Sequence, residues 1–190
     1  MREIGIEISV SWLNHSPWTE KYVGLRKLSR ESLPHKIHEM EAEHSTVCHS
    51  IIVGSNQLIE MAFFDITSTY IGKELTKKDH GSTFHDGIKT LPKKIMGKSF
   101  NLQTEPYLSM NKLRIRRNRT IHKTVALADV DMARSALYTA VETVKAIYTF
   151  FEKPFPYNLC LKTYPLEHGM LFSYITYPED RTKQQLMGSE

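Results

Sequence analysis

The chain has 190 residues, 41% hydrophobic and 24% charged, which is enough apolar content for one buried core and argues against disorder. Its formal charge of +4 allows an anionic partner without demanding one. Cys48 and Cys160 read as buried free thiols rather than a disulfide scaffold, no run of about 18 apolar residues marks a membrane span, and no apolar region follows Met1-Arg2-Glu3 to make a secretory signal.

In chain order, Ile4, Ile6, Ile8 and Val10 alternate with Gly5, Glu7 and Ser9, a period-two pattern that predicts a short strand. Trp12 and Trp18 follow around Pro17 and read as a packed N-terminal extension. From Leu33-Pro34 the periodicity turns helical. Val47, Ile51, Ile52, Leu58, Ile59, Ala62, Phe63, Ile66 and Tyr70 form one apolar stripe, predicting a helix of about 40 residues or two helices broken near Gly54-Ser55. Asp79-His80-Gly81-Ser82 is a loop signal. A shorter helix is expected over Phe84–Met96, with Pro92 ending or bending it, and Gly97-Lys98-Ser99 then breaks the chain.

The next helix is expected over about Glu105–Arg117, with Tyr107, Leu108, Leu113 and Ile115 inward. Val130, Ala133, Leu137, Ala140, Val141, Val144, Tyr148 and Phe151 then make a continuous helical face, with Asp129 as its N-cap and Lys153-Pro154-Phe155-Pro156 as its stop. Leu159–Tyr177 reads as short strands or extended segments, and 178–190 as a frayed end. The fold class expected is mainly α: a single domain over 1–190, an up-and-down helical bundle with its core at about 34–153. Extensions over 1–33 and 154–190 would form the short strands.

The stretch that points to a chemistry is Arg117-Asn118-Arg119-Thr120-Ile121-His122, inside the basic run Lys112–Arg119. RNA cleavage by its own 2′-hydroxyl needs a proton carrier and positive charge at the developing phosphorane. Imidazole titrates near neutral pH, so His122 suits the first task. Arg117 offers a planar, permanently charged fork that matches phosphate oxygens. Asn118 could orient the histidine or bind phosphate. Arg114, Arg116 and Arg119 would hold the RNA backbone, at a cost in salt sensitivity. With Arg117 expected at a helix end and His122 in or after the connection, the backbone could bring both onto one side.

These residues carry a resemblance. A helical domain with R-N-x-x-x-H at a helix junction before a long amphipathic helix resembles the HEPN family, whose catalytic members carry Arg-x(4–6)-His with a polar residue after the arginine. Arg117, Asn118 and His122 match those positions. The likeness covers roughly 34–153. It implies a four-helix bundle, a metal-independent endoribonuclease without a cofactor, and a homodimer whose two motifs share a composite active site. It further implies RNA as partner, a toxin or other defence role and a cognate antitoxin. Cytoplasmic localisation without a membrane partner is expected. The competing reading is a HEPN-like module without catalysis, binding nucleotide or RNA or serving interaction alone.

Other constellations weigh less. Glu60 and Asp65, on or beside the first apolar stripe, would pair with the Arg117 cluster and orient it, or stand on boundary surface. His35, His38 and His44 have spacings that would suit a single zinc, but a solvated helix face is the preferred reading, so no metal is expected. His80 and His85 flank a Gly-Ser loop and read as loop surface. The aromatic tail through Tyr164, Phe172, Tyr174 and Tyr177 reads as packing rather than base stacking.

Overall fold

The computed structural model describes residues 16–122, 127–166 and 169–177, with His122 described in its backbone alone. All regular elements among them are helical: α1 (Pro17–Glu31), α2 (Ala42–Ser68), α3 (Lys77–His80), α4 (Phe84–Met96), α5 (Tyr107–His122), α6 (Val130–Phe150) and α7 (Asn158–Thr163). Two 3-10 turns, Ile37–Glu39 and Phe172–Tyr174, complete the order. The strand expected over 4–10, Trp12 and the 178–190 end lie outside the described residues.

The chain is a mainly α bundle built on α2 and α6, which pack against each other more extensively than any other pair. They run parallel: Val130 at the start of α6 donates its N–H to Met40 Sδ just before α2, and near their far ends Tyr148 donates to Asp65. α1 runs against them, since Trp18 at its start donates to the Leu58 carbonyl (3.1 Å) and Leu25 meets Gly54. α5 also runs against them, with the Tyr107 hydroxyl on the Ala146 carbonyl at 3.1 Å. The four long helices therefore alternate in direction along the chain, the up-and-down arrangement expected, but the first of them, α1, lies in the 1–33 stretch read as an extension with short strands: Ser16 caps it by accepting the Thr19 N–H (3.2 Å), and its Trp18, Tyr22 and Leu25 are buried in the bundle.

Burial follows the predicted stripes. Ile51, Ile52, Leu58, Ile59 and Phe63 of α2 and Val130, Ala133, Ala140, Val144 and Ile147 of α6 are sealed from solvent. Phe63 gathers Phe84, Phe100 and Phe151 around it, with ring centroids at 5.6, 6.3 and 6.5 Å. Trp18 stacks on Tyr157 at 4.0 Å, which fixes α1 to the segment after α6. α2 contains an 18-residue window long and apolar enough to cross a membrane, with a mean hydropathy of 1.2. Over half of that window, 56%, is buried within the bundle, so α2 spends its apolar surface on its neighbours.

Three boundaries differ from expectation, each for a physical reason. α2 begins at Ala42, not at Pro34, because the carbonyls of Pro34 and His35 are held by Arg134 (3.1 and 3.2 Å) and are not free for helical bonding. It runs unbroken through Gly54, where the missing Cβ is a packing notch: a Cβ there would stand 2.5 Å from Leu25 Cδ2. α4 continues through Pro92 to Met96 and ends at Gly97 in the left-handed region, φ 71°. Pro92 is buried beside Ile88 and Leu91, which offsets the cost of its ring within a helix.

The tail also differs. Where strands were expected in Leu159–Tyr177, the described residues form α7 and a 3-10 turn. No partner strand is needed, because side chains satisfy the backbone. The Phe172 N–H donates to Thr139 Oγ1 of α6 (2.8 Å), the Ser173 N–H to Ser109 Oγ of α5 (2.9 Å), and Lys112 Nζ to the Ser173 carbonyl (3.2 Å). The Ser173 hydroxyl donates to the Glu105 carboxylate, so one residue is held twice by α5 and once by the residue two before it.

Candidate phosphate-binding helix

α5 carries every residue of the motif. Its inner stripe is Ser109, Leu113 and Arg116, at spacings of four and three, with Thr120 four further on. Leu113 therefore faces the core as expected and Tyr107 is buried, while Leu108 is half-buried. Ile115 is 42% exposed rather than inward, since it lies two positions, about 200°, round the helix from Leu113.

The same register separates the arginines. Arg116, expected to hold RNA, is 2% exposed. Its guanidinium donates to the Leu127 carbonyl just before α6 and lies 4.9 Å over the Tyr177 ring. It joins three parts of the fold and is not presented to a ligand. Arg114, Arg117 and Asn118 are half-buried and Arg119 is exposed. Arg114 donates to Asn111 Oδ1 (3.0 Å) and Arg117 to Asn118 Oδ1 (3.1 Å), while Arg117 Nε is shielded and takes no partner. Among the described residues, none of Arg114, Arg117 and Arg119 meets a carboxylate.

The helix was expected to end at Arg117, with His122 beyond it. It runs on to His122. Five positions on a continuous helix are about 140° apart round the axis and about 7.5 Å apart along it. The backbone therefore does not set Arg117 and His122 on one side, whereas Asn118 and His122, four apart, share a ridge. The His122 side chain lies outside the described residues.

The two acidic candidates go elsewhere. Glu60 is half-buried and accepts from Asn56 Nδ2 at 2.6 Å. Asp65 is exposed and accepts from the Tyr148 hydroxyl at 3.3 Å. Tyr148 stands at the end of the bundle where α5 starts, so Asp65 and Arg117 are separated by most of that helix, roughly 15 Å of rise. Asp65 is not placed to orient Arg117.

The histidines divide likewise. His44 Nδ1 accepts from the Glu41 N–H (2.9 Å) as a helix cap, and His80 Nε2 sits 3.1 Å from the Phe64 carbonyl. Among the described residues no three His, Cys, Asp or Glu side chains, His35, His38 and His44 included, converge as a metal site would require. His85, read as loop surface, instead stands in the first turn of α4 within electrostatic reach of Arg114. Its signal was the i,i+4 pair His85 and Lys89, set on a helix start.

No protein-family model matches this chain, and no curated protein or solved structure does so either.

Proposed function

We propose that the chain is a metal-independent endoribonuclease of the HEPN type, working as a homodimer with a composite site. The observation that carries this reading is the set of cations Arg114, Arg117 and Arg119, which meet no carboxylate among the described residues, on the helix that ends in His122. In the reaction the RNA 2′-oxygen forms a bond to phosphorus as the bond to the 5′-oxygen breaks. His122 takes the 2′-hydroxyl proton, and the partner subunit's His122 gives a proton to the leaving oxygen. Arg117 stabilises the phosphorane, Asn118 holds Arg117 in place, and Arg114 and Arg119 hold the strand. A single chain supplies one motif histidine, and its helical register spreads Arg117 and His122 round the axis. A second copy supplies both the missing imidazole and the missing side of the cleft. A toxin or defence role in the cytoplasm, with a cognate antitoxin, belongs to the same reading.

The test is cleavage of single-stranded RNA in EDTA by protein freed of host nucleases. Expected products carry 2′,3′-cyclic phosphate and 5′-hydroxyl ends, with Arg117→Ala and His122→Ala each slower by about a hundredfold or more. Undiminished cleavage by His122→Ala overturns the assignment. Salt-dependent RNA binding with no cleavage by the parent would leave a non-catalytic binding module.

A further inference from the structure

On α4 a lysine and a histidine stand together, and the charge of Arg114 on α5 reaches the histidine. Lys89 lies one turn after His85 on α4, and its Nζ is 3.0 Å from His85 Nε2. An ammonium can only donate, so Nε2 presents its lone pair and the imidazole is neutral, with its proton on Nδ1. The surroundings favour that state: partial burial, then the charges of Arg114 and Lys89, hold the His85 pKa below its usual range. Asp86 pulls the other way, but its carboxylate is taken by the Thr83 hydroxyl at 2.6 Å. Arg114 gives one bond to Asn111, and among the described residues neither Arg114 nor Lys89 meets a carboxylate.

A guanidinium fork, an ammonium and a neutral imidazole are the donor set of a phosphate site. Among the described residues each cation lacks the counter-charge a phosphate would bring, and burial first, then those same cations, hold the His85 pKa down. Arg114 is also three positions before Arg117, on the same flank of α5, about 4.5 Å along the axis. We propose that His85 and Lys89 of α4 and Arg114 of α5 form a phosphate subsite that holds the RNA strand beside the Arg117 motif, and that His85 takes up a proton from solvent as the phosphate enters. The RNA assignment rests on the function proposed above; the phosphate site does not. A phosphate between Lys89 and Arg114 offsets the field that keeps His85 neutral, so the bound form protonates at higher pH than the free form. By linkage, phosphate binds more tightly as pH falls through the bound-state pKa.

Histidine-ring NMR on the full chain, with inorganic phosphate as probe and chloride at matched ionic strength as control, reads this directly; His85→Gln assigns the signal. The His85 titration midpoint is expected to rise by about one pH unit at saturating phosphate, a tenfold linkage. An equal midpoint in both salts overturns the proposal. In a second arm, His122→Ala protein binds a fluorescent single-stranded RNA over a salt series. Lys89→Ala and Arg114→Ala should each weaken binding about three- to tenfold at low salt and lower the log–log salt slope by about 0.7. Unchanged affinity and slope in Lys89→Ala sinks the subsite even if His122 proves essential for cleavage. If the parent cleaves nothing while Lys89→Ala still loses affinity, the catalytic reading fails and the subsite stands.

Discussion

Replacing Arg116 and Arg119 separately should produce opposite phenotypes, although both belong to one basic run. Arg116→Ala removes a charge-assisted hydrogen bond to the Leu127 carbonyl, about 1.5–3 kcal/mol. It also removes the cation–π contact with Tyr177, about 0.5–2 kcal/mol. The expected loss is about 2–5 kcal/mol, a large share of the roughly 5–15 kcal/mol that holds a typical domain. Arg119 is exposed with no carboxylate partner among the described residues, so Arg119→Ala should stay within about 0.5 kcal/mol of the parent. Urea unfolding followed by circular dichroism measures both. Arg116→Met, which keeps the stem and drops the charge, should lose less than Arg116→Ala, because an apolar side chain leaves no buried charge to satisfy. RNA binding by His122→Ala protein completes the comparison: Arg119→Ala lowers the salt slope by about 0.7, and Arg116→Ala, held below its unfolding temperature, does not. The reasoning is refuted if Arg116→Ala is as stable as the parent, or if it reduces the salt slope as Arg119→Ala does.

Gly54→Val should push α1 off α2, since the new Cβ would stand 2.5 Å from Leu25 Cδ2 and 2.9 Å from Cδ1. Overpacking of this kind costs about 1–3 kcal/mol, or a fall in Tm of roughly 2–12 °C at this chain length. Adding Leu25→Ala should recover part of the loss, and an unchanged Tm in Gly54→Val would count against the notch. Cys48 is sealed from solvent, and burial pushes its thiol up to about 12, with the charge of Asp129 acting the same way; burial also raises Cys160. Neither should react with a disulfide reagent at pH 8 until the chain unfolds. Rapid titration of two thiols in native protein would contradict that.

How much of this was legible in the sequence depended on what each segment had to pair with. The α6 stripe and its cap were legible because Val130 to Phe151 satisfy both local propensity and burial, and Asp129 accepts the Met132 N–H at 2.9 Å as a good N-cap should. Gly54 was misleading, because a glycine that breaks a helix and one that admits a neighbouring leucine look the same until that neighbour is known. The tail read as strands because its aromatic and β-branched residues suit them, yet its backbone partners are side chains from α5 and α6. The basic run hid the buried member of the set. Four arginines within six residues look alike, and the clue was that Arg116 lies three residues after Leu113, on the inner stripe. The extent of α5 past Arg117 mattered most for the site, since Thr120 and Ile121 carry no helix-stop signal and the helix runs through both to His122.

The docking of Ser173 has a consequence for how the motif helix is held. Glu105 just before α5, and Ser109 and Lys112 on its first turns, each give a polar group to that one residue, while Arg116 continues the line onto Tyr177. The C-terminal segment thus works as a splint along the side of α5, fastened at three of its residues and at Glu105 just before it. A chain cut before residue 169 would leave a buried serine hydroxyl, a carboxylate and two cations without those partners, on or just before the same helix that presents Arg114, Arg117 and Arg119. The motif is therefore kept in shape by residues more than fifty positions downstream, none of which would appear in a search for the motif itself.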